Sequence, residues 1–282
     1  MAALGTSVEA NLEIYNAPQV ASHYAALNYL SPCEQLIFDT HLRRGMDILD
    51  LGVGGGRTTP YLSRIASHYV GADYAEAMVR SCRSRYPEKE FLVADAANLS
   101  IFPDSSFDAI VMAFNGIDYI YPLEKRSKCL CECWRVLRPD GKLIFSSHNP
   151  RAVFVIRSWD RERVKAFSRH LVGENKFLYS LTVTATTLAK AGLSSLRTLR
   201  DSLARILQRV PRKTFFAGEG YMWDRAHGGL VTRYGVPHKI IAELQQFGFK
   251  FVQMLGDDHP RKSHSLISDW YYYVFSKPEN AA

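Results

Sequence analysis

The sequence has no run of eighteen uncharged apolar residues, which excludes a conventional membrane-spanning helix. It has no tract of five consecutive Lys or Arg and no zinc-finger spacing. The formal charge is nevertheless +7, from 35 basic and 28 acidic residues. Without a concentrated basic patch, RNA or an acidic membrane surface is not the expected partner. Cysteine is scarce: Cys33, Cys82, Cys129, Cys131 and Cys133 are the five. The last three form C-x-C-x-C within a helical pattern, which points them around the helix rather than at one metal. They read as reduced packing residues in a reducing compartment. The opening MAALGTSVEA has neither a basic head nor a long apolar run, so no signal peptide is expected, and the chain reads as a soluble cytoplasmic protein. No recurring metal-ligand spacing occurs, and no metal is expected.

At 282 residues and 47% apolar composition, the chain can bury a sizeable core as one large domain or two modest ones. The stretch that organises it is Asp47 to Thr59, DILDLGVGGGRTT. Ile48 to Leu51 suit the end of a buried strand. Gly52, Gly54, Gly55 and Gly56 follow, letting the backbone turn tightly and approach a ligand. Thr58 onward reads as a helix with Tyr61, Leu62 and Ile65 facing inward. A strand, a glycine turn and a helix in that order commonly form a nucleotide-cofactor crevice.

Two relatives of that crevice fit poorly. The dinucleotide fingerprint needs its third glycine where this chain has Arg57. No lysine follows the glycines as a phosphate-binding loop requires. The loop is therefore suited to a nucleoside rather than a pyrophosphate.

The DxGxGxG pattern resembles the first motif of the class I S-adenosylmethionine-dependent methyltransferases. Three more segments resemble that family in the same order: GADYAEAM from Gly71, VADAANLSIFPDSSFDAIVMAF from Val93, and LRPDGKLIFSSHNP from Leu137. Together with their linking helices they cover about residues 45 to 150. The resemblance implies an α/β, Rossmann-like fold with a seven-stranded mixed sheet in the order 3-2-1-4-5-7-6, one strand reversed. It also implies S-adenosyl-L-methionine as cofactor.

Roles follow residue by residue. Backbone groups near Gly52, Gly54 and Gly56 would hold the methionine moiety, with Asp50 ordering the glycine loop from beneath. Asp73, 21 residues after Gly52, would accept from the ribose hydroxyls, with Tyr74 beside it and Met78 against the adenine. Asp95 and Ala96 would meet the adenine, and Asn115 is placed with the cofactor contacts. In the resembled family the N-terminal segment often folds over the cofactor as a lid, which makes Tyr15 and Tyr24 candidate contacts. At the end of strand 4, Asp118 and Tyr119 are candidate acceptor contacts. His148, at the lip of strand 5, is the candidate base, with His227 and Tyr119 as alternatives or orienting groups.

Strands are expected over about 47–51, 67–73, 90–93, 107–114, 142–147, 249–255 and 270–275. Helices are expected over 123–137 and 237–247, and as two helices within Leu12 to Phe38, with residues 1–10 loose. Residues 151–215 carry fourteen Lys or Arg against four Asp or Glu. Within that stretch 178–185 reads as a strand and Leu196 to Val210 as a basic helix. The glycine-bracketed cluster Tyr221, Trp223 and His227 reads as a loop forming a wall of the acceptor pocket. The domain expectation is lid helices and cofactor half over 1–147, a cap insertion over 148–229, and the rest of the same domain over 230–282.

The functional expectation is methyl transfer to oxygen or nitrogen of a small, anionic metabolite. An RNA methyltransferase, a non-catalytic S-adenosylmethionine-binding partner subunit and an NAD-dependent oxidoreductase stand as alternatives. The sequence leaves monomer and homodimer open.

Overall fold

The computed structural model describes residues 7–152, 217–224, 230–265 and 267–279, and Ala185. Its strands are β1 Met46–Leu51, β2 Ala66–Asp73, β3 Glu90–Val93, β4 Phe107–Met112, β5 Leu137–His148, β6 Glu219–Asp224, β7 Leu230–Gly235, β8 Lys250–Gly256 and β9 Trp270–Ser276. Seven of them form one sheet in the order β3-β2-β1-β4-β5-β9-β8. Strands β1 to β5 pair in parallel, and β9 runs antiparallel to both β5 and β8. With the separate β6–β7 hairpin set aside, this is the expected strand order.

Strand alternation divides the core between the two sheet faces. Leu49, Val70, Ile110, Leu143 and Tyr273 face α6 (Leu123–Val136) and α7 (Pro237–Gln246), where Cys129, Leu130, Cys133, Ile240 and Leu244 meet them. Ile48, Tyr69, Val111, Ile144 and Val274 face the other way, onto α3 (Pro32–His41), α4 (Thr59–Ile65) and α5 (Glu76–Arg85). Side chains of this size contribute about 1.5–3 kcal/mol each when fully buried. The result is a rigid sheet whose strand ends can hold a site.

Four sequence expectations need correction. The N-terminal region forms three helices, because α1 (Ser7–Asn16) begins inside the segment expected to be loose and α2 (Pro18–Ala25) starts afresh at Pro18, a favoured first-turn residue. Strand β4 stops at Met112 rather than residue 114, since Phe114 and Asn115 take left-handed φ values of 56° and 63°. Strand β5 begins at Leu137, where the backbone turns extended directly from α6. The expected pocket-wall loop is instead the antiparallel hairpin β6–β7. Its second strand, LVTRYG, is buried throughout, a pattern obscured in sequence by the flanking glycines.

The N-terminal helices lie over the C-terminal ends of the strands. Tyr15 and Ala21 pack with Ala75, Ala77 and Met78 of the α5 region and with Leu230 of β7. The domain boundary expected after residue 147 falls one residue before β5 ends. The expected strand over 178–185 and the helix over 196–210 lie outside the described residues, apart from Ala185. Among the described residues, no helix is long and apolar enough to cross a membrane.

Candidate functional site

The glycine loop leaves β1 by a sharp turn. Gly52, Gly54 and Gly56 all take positive φ, at 74°, 54° and 79°, values that a side chain disfavours. The amides of Gly52 and Val53 donate to Ala72 O, at 2.7 and 3.0 Å, so the turn is anchored on β2. Gly55 serves differently. A Cβ there would stand 2.3 Å from Ala25 N, so α2 rests directly on the loop only because the position is glycine.

Beneath the loop lies Asp50, 1% exposed. Its Oδ2 accepts from Thr58 Oγ1 at 2.6 Å and from Tyr69 OH at 2.9 Å. Burial pushes its carboxyl up to about 6, against those hydrogen bonds. Asp50 thus fixes the start of α4 from below and is not on the wall of the cavity above. Gly56 is likewise withdrawn, facing Tyr86, Cys82 and Thr59.

That cavity is bounded by the ends of β1, β2, β3 and β4 and roofed by α1 and α2. Of the sequence-predicted cofactor residues, Tyr15, Tyr24, Gly52, Gly54, Asp73, Tyr74, Met78, Asp95 and Ala96 line it. Asp73 Oδ2 accepts from Gly54 N and Oδ1 from Ala75 N, each at 2.9 Å. Burial raises its carboxyl to about 6, with the backbone amides opposing the rise. An ionised carboxylate has about four lone-pair positions, so two remain for ligand hydroxyls. Asp95 is more open: Oδ2 pairs with Lys125 Nζ at 2.6 Å and Oδ1 accepts from Ala97 N at 3.0 Å. The Tyr74 hydroxyl is buried with no hydrogen-bond partner.

Tyrosines dominate the roof and its neighbourhood. The Tyr15 ring lies 6.0 Å from Tyr24, 6.1 Å from Tyr74 and 5.8 Å from Tyr119. Burial and the neighbouring tyrosines raise the Tyr15 hydroxyl well above its ordinary range, so it remains neutral.

At the β4 and β5 ends the expectations are partly overturned. Asp118 is fully buried and does not line the cavity. It instead accepts from Ser147 Oγ at 2.8 Å, His148 N at 2.7 Å and His148 Nδ1 at 2.9 Å. His148 is itself 7% exposed, and its Nε2 lies 3.1 Å from Asn115 Nδ2. The histidine and Asn115 therefore stand one layer behind the cavity wall, while Phe114, Gly116 and Tyr119 form that wall. Tyr221 is half-buried and donates to Ile120 O at 2.7 Å, its ring 5.1 Å from Tyr121. Trp223 falls in β6 opposite Val231. His227 lies outside the described residues.

Sequence reasoning missed three residues. Arg57, noted there only for not being glycine, lines the cavity. It forms a forked ion pair with Glu34, donates to Tyr29 O at 2.8 Å and lies 4.9 Å over the Phe114 ring. Burial alone would raise the Glu34 carboxyl, but the Arg57 hydrogen bonds and charge, with Tyr272, hold it below the usual range. Asn11 and Lys125 also line the cavity. A positional signal existed for Arg57, directly after the glycines; nothing local marked Asn11.

The family described as "Methyltransferase domain" matches residues 49–145. A probable S-adenosylmethionine-dependent methyltransferase from Mycolicibacterium smegmatis is 34% identical over 39% of this chain and 40% of its own length. A demethylmenaquinone methyltransferase from Clavibacter sepedonicus is 34% identical over 45% of this chain and 51% of its own. The chain thus spans about half or less of the length of these curated relatives. A solved S-adenosylmethionine-dependent methyltransferase from Methanosarcina mazei shares the fold, with a TM-score of 0.57 and 18% identity over 88% of this chain and 98% of that one. Residues 49–145 thus match a methyltransferase domain, and the sheet has the strand order of the class I S-adenosylmethionine-dependent methyltransferase fold.

Proposed function

We propose that the protein transfers the methyl group of S-adenosylmethionine to an oxygen or nitrogen of a small molecule. The observation that carries this reading is the single cavity onto which Gly52, Gly54, Asp73, Asp95 and the lid tyrosines converge. Asp73 would take the ribose hydroxyls on its two remaining lone-pair positions. Ala96 leaves room for a flat ring, and Asp95 would accept from the adenine amino group. Gly52 and Gly54 would let the methionine end lie against backbone.

When bound, the cofactor supplies a methyl group whose carbon–sulfur bond breaks as the acceptor's lone pair forms the new bond, the electron pair staying on sulfur and the acceptor's proton leaving to water or a base. The sulfonium already makes that carbon electrophilic, so the protein's principal task is alignment. Tyr15, Tyr24 and the rest of the roof serve it by excluding water.

The acceptor's charge is a separate matter. Among the described cavity residues, Arg57 is paired with Glu34 and Lys125 with Asp95. An anionic acceptor would draw on the basic residues of 153–216, which lie outside the described residues. The reading is tested by incubating the protein with methyl-labelled S-adenosylmethionine and a metabolite extract. Label in a small molecule supports it; label confined to RNA, or no transfer to any fraction, contradicts it.

A further inference from the structure

Three consecutive carbonyls of the glycine loop face one helix. Gly54 O accepts from Cys82 Sγ at 3.1 Å, Gly55 O accepts from Arg85 Nη1, and Tyr86 OH lies 3.4 Å from Gly56 O. Positions 82, 85 and 86 meet the loop together because residues three and four apart share a helix face. The Tyr86 ring also closes on Gly56, where a Cβ would stand 2.9 Å from Tyr86 Cε2. Cys82 is fully buried, and burial, with the Asp50 and Asp73 charges, pushes its thiol up to about 12. It therefore stays protonated at neutral pH and donates. Arg85 is exposed, its guanidinium 5.1 Å over the Tyr86 ring, and its bond to Gly55 O is charge-assisted.

The consequence lies on the opposite side of the loop. In a trans peptide the N–H points away from the C=O of the same unit. Turning Gly54 O and Gly56 O toward α5 therefore turns the Gly55 and Arg57 amides away from it. Both residues are buried and line the cavity, and neither amide has a hydrogen-bond partner among the described residues. Buried N–H groups in that state are rare. The intervening amide, Gly56 N, is taken up by Val53 O at 3.0 Å. Cys82, Arg85 and Tyr86 do not themselves line the cavity.

We propose that Cys82 and Arg85, with Tyr86, are positioning residues for the cofactor: they hold the loop carbonyls back so that the Gly55 and Arg57 amides are presented to the carboxylate of its methionine end. The proposal rests on the cavity being the S-adenosylmethionine site. A carbonyl turned into the cavity would instead repel that carboxylate. Loss of one tie frees a peptide of the loop to rotate, a change felt at the methionine end and not at the ribose or adenine, which Asp73 and Asp95 would meet elsewhere.

Two ligands separate this role from general support of the fold. S-adenosylhomocysteine carries the amino-acid end; 5′-methylthioadenosine has the same nucleoside and a thioether sulfur without it. Calorimetry at pH 7 gives the Kd of the first directly and of the second by competition. Arg85→Met is expected to weaken S-adenosylhomocysteine about 10-fold and methylthioadenosine less than about twofold. Arg85→Lys, which keeps a charged donor, is expected to recover most of the loss. Cys82→Ala removes a weaker donor and is expected to weaken S-adenosylhomocysteine about 3-fold with the same selectivity. A ratio of the two Kd values that Arg85→Met leaves at its wild-type level overturns the proposal, whether both ligands weaken together or neither does. A shifted ratio in Arg85→Met that Cys82→Ala does not share overturns the part of Cys82. If wild type binds neither ligand, the cofactor reading falls and the proposal with it.

Discussion

Asn11 and Val231 exchange two hydrogen bonds, as paired strand residues do: Asn11 Nδ2 donates to Val231 O at 3.1 Å, and Val231 N donates to Asn11 Oδ1 at 3.0 Å. The same Nδ2 donates to Tyr119 O at 3.2 Å. One buried side chain on α1 therefore ties the roof of the cavity to β7 and to the turn after β4.

Removing that tie should act on ligand release. Asn11→Ala leaves the Val231 N–H and C=O short of their partners, a loss of about 1–3 kcal/mol. The dissociation rate of S-adenosylhomocysteine is expected to rise about 10-fold by stopped-flow fluorescence, with faster amide exchange at Val231. A rate within twofold of wild type would show that the roof is held by packing alone.

The Glu34–Arg57 pair makes an opposite kind of prediction, about stability. Glu34 caps its own helix, its Oε2 accepting from Ser31 N at 2.7 Å, and Tyr272 OH donates to its other oxygen. Glu34→Met leaves the buried Arg57 guanidinium without its counter-charge, at a cost of about 3–5 kcal/mol. Glu34→Met with Arg57→Met should recover most of that in urea unfolding. A double variant as unstable as the single one would mean that the network, rather than the stranded charge, matters.

Asp73 and Asp50 predict a pH dependence. Both carboxyls are raised from 3.8 to about 6 in the folded protein, so the folded state binds more protons than the unfolded between those values. Their unfavourable contribution is absent below about pH 4, grows as pH rises, and is complete above about pH 6. Ligand hydroxyls need the ionised form of Asp73. S-adenosylhomocysteine should therefore bind roughly tenfold more weakly at pH 5 than at pH 7. Asp73→Asn should remove that dependence and Asp50→Asn should retain it. An identical pH response in wild type and Asp73→Asn would sink the assignment.

The sheet and the cavity wall at the ends of β1 and β2 were legible because their signals are local. Alternation around Leu49 and Ile110, the glycines after Leu51 and the 21-residue step to Asp73 each lie within one βα unit. The acceptor side was not, because its logic joins residues far apart in sequence. His148 reads as an exposed lip residue until Asp118, thirty positions earlier, is found to hold its ring. Asn11 gains its meaning only from a partner 220 residues away. Asp118 read as an acceptor contact beside Tyr119, whereas Arg126 and the β5 end enclose it completely. The hairpin strand LVTRYG was hidden by its surroundings: glycines suggested a loop, while tertiary packing buried the strand on both faces.

The central claim, that this cavity is an S-adenosylmethionine site read by Asp73, is tested most directly by calorimetric titration of wild type and Asp73→Ala at pH 7. S-adenosylhomocysteine is expected to bind wild type with a Kd on the order of micromolar, NAD is expected to give no heat, and Asp73→Ala is expected to lose roughly 1–3 kcal/mol of that affinity. Tight NAD binding without S-adenosylhomocysteine binding, or an Asp73→Ala variant as tight as wild type, would contradict it.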